Sequence, residues 1–293
     1  MANLTEQLFG GSWTEKKLEI LKKYLDAYNK ALKNQPFKRV YIDAFAGTGY
    51  RNQRKNQYNI RSLFEELEQD KSKQFLKGSP KLALEANPSF HRYIFIESDK
   101  NKINELEKLQ NEHPEKVVQI EIIQSDANEF IQKYCNDEDW ANTHAVLFLD
   151  PFATEVKWKT IEAVAKTQCI DVWILFPVMA VKRLLAKDPQ KVSYDCLNRI
   201  FGTQGWFECF YKTQTLDDIF GKSVDTIIKA CDFTGIGNFY KSRFKTIFSG
   251  IAEKPKVFYN SRGSALFQLF FAVGNTKGAP IAIRIAEHLI RKI

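Results

Sequence analysis

Leu18, Leu21, Leu25, Tyr28 and Leu32 recur at helical spacing behind Ser12-Trp-Thr-Glu15, a capping-box pattern, so the early chain is predicted to form an amphipathic helix. Arg39-Val-Tyr-Ile-Asp-Ala-Phe45 is a short apolar β-type run that ends in Ala46-Gly-Thr-Gly49. A polar stretch over 50–77 follows, and Ser79-Pro80 then opens a helix through Leu82 and Leu84. Alternating segments come next: strand Arg92–Glu97, helix Lys100–Asn111, strand Val117–Ile123, helix Ala127–Tyr134, strand Ala145–Leu149, helix Lys159–Thr167 and strand Val172–Phe176. Strands separated by helices of that length imply βαβ units and a parallel sheet. Val257-Phe-Tyr-Asn260 and Ala265–Val273 flank Ser261-Arg-Gly-Ser264 and read as a hairpin, and Ile281–Ile290 as a last amphipathic helix. The predicted fold is α/β: a doubly wound, Rossmann-like sheet with an antiparallel C-terminal hairpin and a mostly helical insertion. The division expected is a helical segment over 1–38, a cofactor-binding core over 39–181 with a loop insertion at 50–77, an aromatic-rich insertion over 182–254, and 255–293 completing the core.

Composition narrows the class. With 44% hydrophobic and 27% charged residues among 293, the chain can bury a full core, which excludes a disordered protein. No apolar run approaches the roughly 18 residues of a spanning helix, and the first residues lack a signal-peptide layout, so a cytoplasmic protein away from membranes is expected. Five cysteines without a CxxC pair and four scattered histidines predict neither a disulfide framework nor a metal site. Charge is uneven: 15 basic against 9 acidic side chains in 1–80, 7 against 14 in 81–150, and 21 against 12 in 151–293. An acidic middle between basic flanks suits a small cationic ligand at the centre and a polyanion at the periphery; a solvated basic surface is the plainer reading. In the insertion, Phe239-Tyr-Lys-Ser-Arg-Phe-Lys245 interleaves aromatics with Lys241, Arg243 and Lys245. Such a stretch stacks on bases and grips phosphates, or packs a small helical core.

The strand ends carry the candidate chemistry, because ligands of open parallel sheets sit beyond the carboxyl ends of the strands. Four successive ends are distinctive: Asp43-Ala-Phe-Ala-Gly-Thr-Gly49, Glu97-Ser98-Asp99, Ser125-Asp126-Ala127 and Asp150-Pro-Phe-Ala153. Singly, each reads as a tight turn, a solvated strand end or a helix cap. Together they point to a ligand. A dinucleotide fingerprint lacks its third glycine, and no Gly-Lys-Ser/Thr of a P-loop follows the turn. A cationic nucleoside with an amino-acid end fits better. Asp43, Phe45, Ala46, Gly47, Thr48 and Gly49 would surround its tail, Glu97 with Ser98 would take both ribose hydroxyls, Asp126 with Ala127 the adenine, and Asp150 would be a further cofactor contact. That ligand is S-adenosylmethionine.

The set Asp43-Ala-Phe-Ala-Gly-Thr-Gly49, Gly78-Ser-Pro80, Ile94-Phe-Ile-Glu97, Asp126-Ala127 and Leu147-Phe-Leu-Asp-Pro-Phe152, with Leu266-Phe-Gln-Leu-Phe-Phe-Ala272, resembles the three-Cys-motif partner family, TcmP. The resemblance implies a class I S-adenosylmethionine-dependent methyltransferase and a bacterial defence or mobile-element setting. It also implies a partner protein that carries the three cysteines. The chain departs from the family's outline in the 50–77 stretch between the glycine turn and Gly78-Ser-Pro80. Asp150-Pro-Phe-Ala153 further resembles the Asp/Asn-Pro-Pro-Tyr/Phe tetrad of amino-methyltransferases, with the aromatic displaced by one position. In that chemistry the carboxylate and the proline carbonyl hold the amine hydrogens and the ring stacks on a flipped base. Asp150, Pro151 and Phe152 are accordingly the catalytic candidates, with Ser79, Lys241, Arg243 and Lys245 for the acceptor. Nucleic acid, DNA or RNA, is the expected acceptor, with adenine N6 as one target. A partner protein or small molecule as acceptor, and a non-catalytic binding module, are the alternatives.

Overall fold

The computed structural model describes residues 12–47, 78–217, 223–260 and 262–293. α1 (Ser12–Leu32) precedes β1 (Lys38–Asp43), and α2 (Ser79–Leu84) precedes β2 (Arg92–Glu97). Then follow α3 (Lys100–Asn111), β3 (Ile120–Gln124), α4 (Ala127–Asp137), β4 (Thr143–Leu149), α5 (Trp158–Thr167) and β5 (Ile170–Phe176). Three short helices, α6 (Val178–Leu184), α7 (Tyr194–Phe201) and α8 (Trp206–Phe210), lead to the strands β6 (Tyr211–Asp217) and β7 (Ser223–Lys229). The remaining elements are α9 (Phe233–Lys245), β8 (Gly250–Ile251), β9 (Lys256–Tyr259), β10 (Ala265–Val273) and α10 (Ala279–Lys292).

The main sheet has the order β3-β2-β1-β4-β5-β10-β8, with β9 also paired to β10. β1 to β5 are parallel, whereas β10 lies antiparallel to β5. The chain steps outward from β1 to β3 and returns to lay β4 on the other side of β1, in a register that sets Asp43 beside Phe148. The order therefore switches between β1 and β4, where a doubly wound sheet opens a crevice at its carboxyl edge. β1, β2, β4 and β5 read as near-continuous apolar runs because helices cover both faces. All nine residues of β10 are buried. Ile131, Trp158, Val164 and Val181 from α4, α5 and α6 fill one face. Leu21, Tyr24, Leu84, Leu106 and Leu289 from α1, α2, α3 and α10 fill the other.

The described aromatics of 182–254 join this core, and among the described residues they build no separate one. Phe201, Trp206, Phe210, Tyr240 and Phe244 belong to the same cluster as Trp158, and Tyr240 stacks on Phe176 of β5 with ring centroids 4.0 Å apart. The segment is also less helical than its composition suggests, since β6 and β7 form a separate two-stranded antiparallel sheet. Lys212, Thr213, Gln214 and Thr215 are all exposed, so this stretch shows none of the buried alternation that marks a strand in sequence. Lys229 fastens its base by donating to the carbonyls of Lys182 and Leu185, at 2.8 and 2.5 Å. β3 starts later than predicted, because Pro114–Gln119 forms a 3-10 turn that leaves Val118 in solvent. The expected hairpin of β9 and β10 is present. The insertion at 50–77, and Thr48 and Gly49, lie outside the described residues. Among those described, no helix is long and apolar enough to cross a membrane.

Candidate functional site

β1 delivers Asp43 to the carboxyl edge, but not to solvent. It is 0% exposed, with Tyr41 Oη donating to Oδ2 at 3.1 Å, the Phe45 N–H to Oδ1 at 3.4 Å, and the Ser79 hydroxyl as a further partner. Burial pushes its carboxyl up to about 7; the charge of Asp150 adds to the rise, and the three hydrogen bonds oppose it. Asp43 thus ties β1 to the first turn of α2 and holds the turn that follows. Ser79, expected at the acceptor, is placed by the structure inside this knot, buried beside Pro80.

The turn itself is fixed by two contacts from β2. The Ala46 N–H donates to the Ile96 carbonyl at 3.0 Å, and the Gly47 N–H to Glu97 Oε2 at 3.1 Å. The other oxygen, Oε1, takes the N–H groups of Ser98 and Asp99, each at 2.9 Å, while Lys102 Nζ stands 3.6 Å from Oε2. A Cβ on residue 47 would collide with Oε2 and with the Lys102 side chain, so only glycine lets the backbone come this close.

β3 ends in Asp126, which caps α4 by accepting the N–H groups of Asn128 and Glu129 at 2.9 and 3.1 Å and remains exposed, next to buried Ala127. β4 ends in Asp150, whose Oδ2 is met at 2.5 Å by Lys17 Nζ from α1, 133 positions away. Lys17 is 2% exposed and lies over the rings of Trp13 and Phe148. Beyond Asp150, Pro151 is buried and Phe152 half-buried, its N–H donating to Glu155 Oε2 at 3.0 Å. Asn128 of α4 pins the rest of this loop, donating to the Glu155 carbonyl at 3.1 Å and accepting the Lys157 N–H at 2.8 Å. Asp43, Gly47, Glu97, Asp126 and Asp150 therefore gather at the ends of four neighbouring strands, around the switch between β1 and β4.

Lys241, Arg243 and Lys245 are engaged by the fold. Lys241 and Lys245 share Glu253 at 2.8 and 3.1 Å. Arg243 stacks on Trp158 at 4.7 Å from the ring centre and donates to the Phe201 carbonyl at 3.0 Å. Sequence reasoning missed Lys17. Its signal was a cation within the apolar stripe Trp13, Leu21, Tyr24 and Tyr28, where a lysine needs a buried counter-charge. Among the described residues no group of His, Cys, Asp and Glu could hold a metal ion.

No family model matches the chain, and no curated relative matches it. Solved structures overlap it partially. A Legionella pneumophila protein of the DUF519 family is 15% identical, with 95% of this chain and 91% of that one covered and a TM-score of 0.49. A candidate S-adenosylmethionine-dependent methyltransferase from Listeria monocytogenes is 10% identical over 85% of this chain and 97% of that one, with a TM-score of 0.36. A candidate methyltransferase from Escherichia coli is 11% identical over 86% and 87%, at 0.32. The α/β assignment stands on the chain's own strand order, a parallel sheet of doubly wound type with β10 antiparallel beside β5.

Proposed function

We propose that this chain is an S-adenosylmethionine-dependent methyltransferase that acts on nucleic acid, with an adenine amine as the acceptor its Asp150 loop suits. The observation that supports it most is the approach of the Gly47 N–H to Glu97, flanked by Asp126 and Asp150 at the neighbouring strand ends. The residues fit the cofactor. Gly47 lets the backbone lie against Glu97 where any side chain would collide, and the donor set is carboxylates, which suit ribose hydroxyls, an adenine amine and a cationic tail. Glu97 and Ser98 would hold the ribose, Asp126 and Ala127 the adenine, and Phe45, Ala46 and Gly47, with Thr48 and Gly49, the amino-acid end. Asp43, being fully buried, would act by holding that turn.

The cofactor supplies an electrophilic methyl group on sulfur. The chain's own part is placement: Asp150 and the Pro151 carbonyl would accept the hydrogens of an exocyclic amine and aim its nitrogen, and Phe152 would pack on the base. Lys17 is the counter-charge that fixes Asp150. Orientation of this kind supplies much of the acceleration in a bimolecular transfer. The 182–254 segment would face the acceptor, and the three-Cys-motif partner protein implied by the sequence resemblance belongs to the same reading. Methyl-labelled S-adenosylmethionine incubated with the protein and a mixed extract tests it: label is expected in DNA or RNA. Label in protein or small molecules alone would move the acceptor to those classes, and label in none would leave a binding module.

A further inference from the structure

A cavity of about 520 Å³ opens between the start of α5 and the end of α7. It sits at the carboxyl edge of the sheet, since α5 begins where the loop from Asp150 ends. Lys157, Lys159 and Arg199 line it against one carboxylate, Glu162, which leaves a surplus of two positive charges. Among the described residues no carboxylate pairs with any of the three cations. Glu162 Oε1 accepts from Trp158 Nε1 at 2.8 Å. Asn198 accepts from Trp206 Nε1 through Oδ1, also at 2.8 Å, so its two amide hydrogens remain as donors. The charged lining is thus cationic on balance, with amide donors beside it. Trp158 is 1% exposed and offers no ring face for a base to stack on. Charge, and not stacking, is what this cavity presents.

We infer that this cavity is a phosphate-binding subsite for the backbone of the acceptor strand, an inference that rests on the methyltransferase reading only for where the strand leads. A phosphodiester brings one negative charge and acceptor oxygens, the complement of two lysines, a guanidinium and an amide. Lys241 and Lys245 meet that need less well, because Glu253 already neutralises one of the two charges.

Fluorescence titration of a short labelled oligonucleotide, run as DNA and as RNA over a salt series, tests the subsite. Replacing Lys157, Lys159 and Arg199 together by alanine should weaken binding at least about tenfold at low salt and flatten the salt slope by about 0.7 to 0.9, the value of one phosphate contact. A methylphosphonate oligonucleotide, with no backbone charge, should bind the native and triple-variant proteins alike. Equal affinity and slope for the phosphodiester in both proteins overturns the inference, and so does a native protein that binds neither strand. A larger loss in the Lys241→Ala, Lys245→Ala double variant also overturns it. Calorimetry with S-adenosylmethionine separates the two readings. If the cofactor fails to bind while the charge-dependent oligonucleotide binding persists, the transferase assignment falls and the subsite stands.

Discussion

Glu97 receives three backbone N–H groups at the end of β2, from Gly47, Ser98 and Asp99, and so joins two loops before any ligand arrives. Such pre-organisation spares a ligand the cost of ordering the turn. A charge-assisted bidentate contact to ribose contributes about 1.5 to 3 kcal/mol. Glu97→Ala should therefore weaken S-adenosylmethionine binding at least about tenfold by calorimetry, and Glu97→Gln, which keeps one acceptor oxygen, should lose less. Unchanged affinity in both would remove Glu97 from the cofactor site. The strand-end residues were legible because each ends an apolar run with a carboxylate or a glycine turn, a strictly local signal. The Lys17–Asp150 pair was not, since its partners lie 133 positions apart and only the docking of α1 brings them together. The cationic cavity escaped for the same reason: Lys157 and Arg199 are drawn together by α5 and α7, while the conspicuous run Lys241–Lys245 is spent on Glu253, Trp158 and Phe201.

At the scale of elements, α1 straps one face of the sheet through a polar contact inside an apolar layer. Tyr24 Oη donates to Asp171 Oδ2 of β5 at 2.8 Å. Burial pushes the Asp171 carboxyl up to about 7, the bond from Tyr24 pulling the other way. The folded protein therefore keeps the proton between about pH 4 and about pH 7, where the unfolded chain has released it, and stability falls as pH rises through that window. Asp43 adds a second contribution of the same sign. Each group contributes a slope of up to about 1.4 kcal/mol per pH unit. Thermal melts of Asp171→Asn, which keeps an acceptor for Tyr24, should lose less stability across the window than the native protein does. Parallel curves would place the titration elsewhere. The strands and helices from β2 to β5 followed their hydrophobic period closely, with β2 and α3 at the predicted bounds, because packing and periodicity agree there. β6 and β7 were missed because 212–215 and 225–227 are exposed without alternation, and the early start given to β3 came from Val117 and Val118, apolar residues left exposed.

At the scale of the molecule, the β6–β7 sheet pairs with itself and joins the body through its base, where the Ala230 N–H donates to the Phe210 carbonyl at 2.8 Å. Replacing 212–228 by a short glycine-serine turn should leave cofactor affinity unchanged and move the melting temperature by no more than about 2–4 °C, the shift expected for about 1 kcal/mol in a large domain. A collapse in either would make the pair part of the core. α1 tells the opposite story. Trp13 stacks on Phe267, and Tyr24 packs on Phe271, both in β10. The ribosome makes this helix well before the β10 rings it packs on, which lie about 250 positions further along. Until β4 and β5 follow, Lys17 lacks Asp150 and Tyr24 lacks Asp171, and until β10 follows part of the apolar stripe stays uncovered, the kind of surface that chaperones hold. The helix that carries the charge beside Asp150 thus waits for the far end of the sheet, and a chain stalled before β10 emerges leaves that strap half seated.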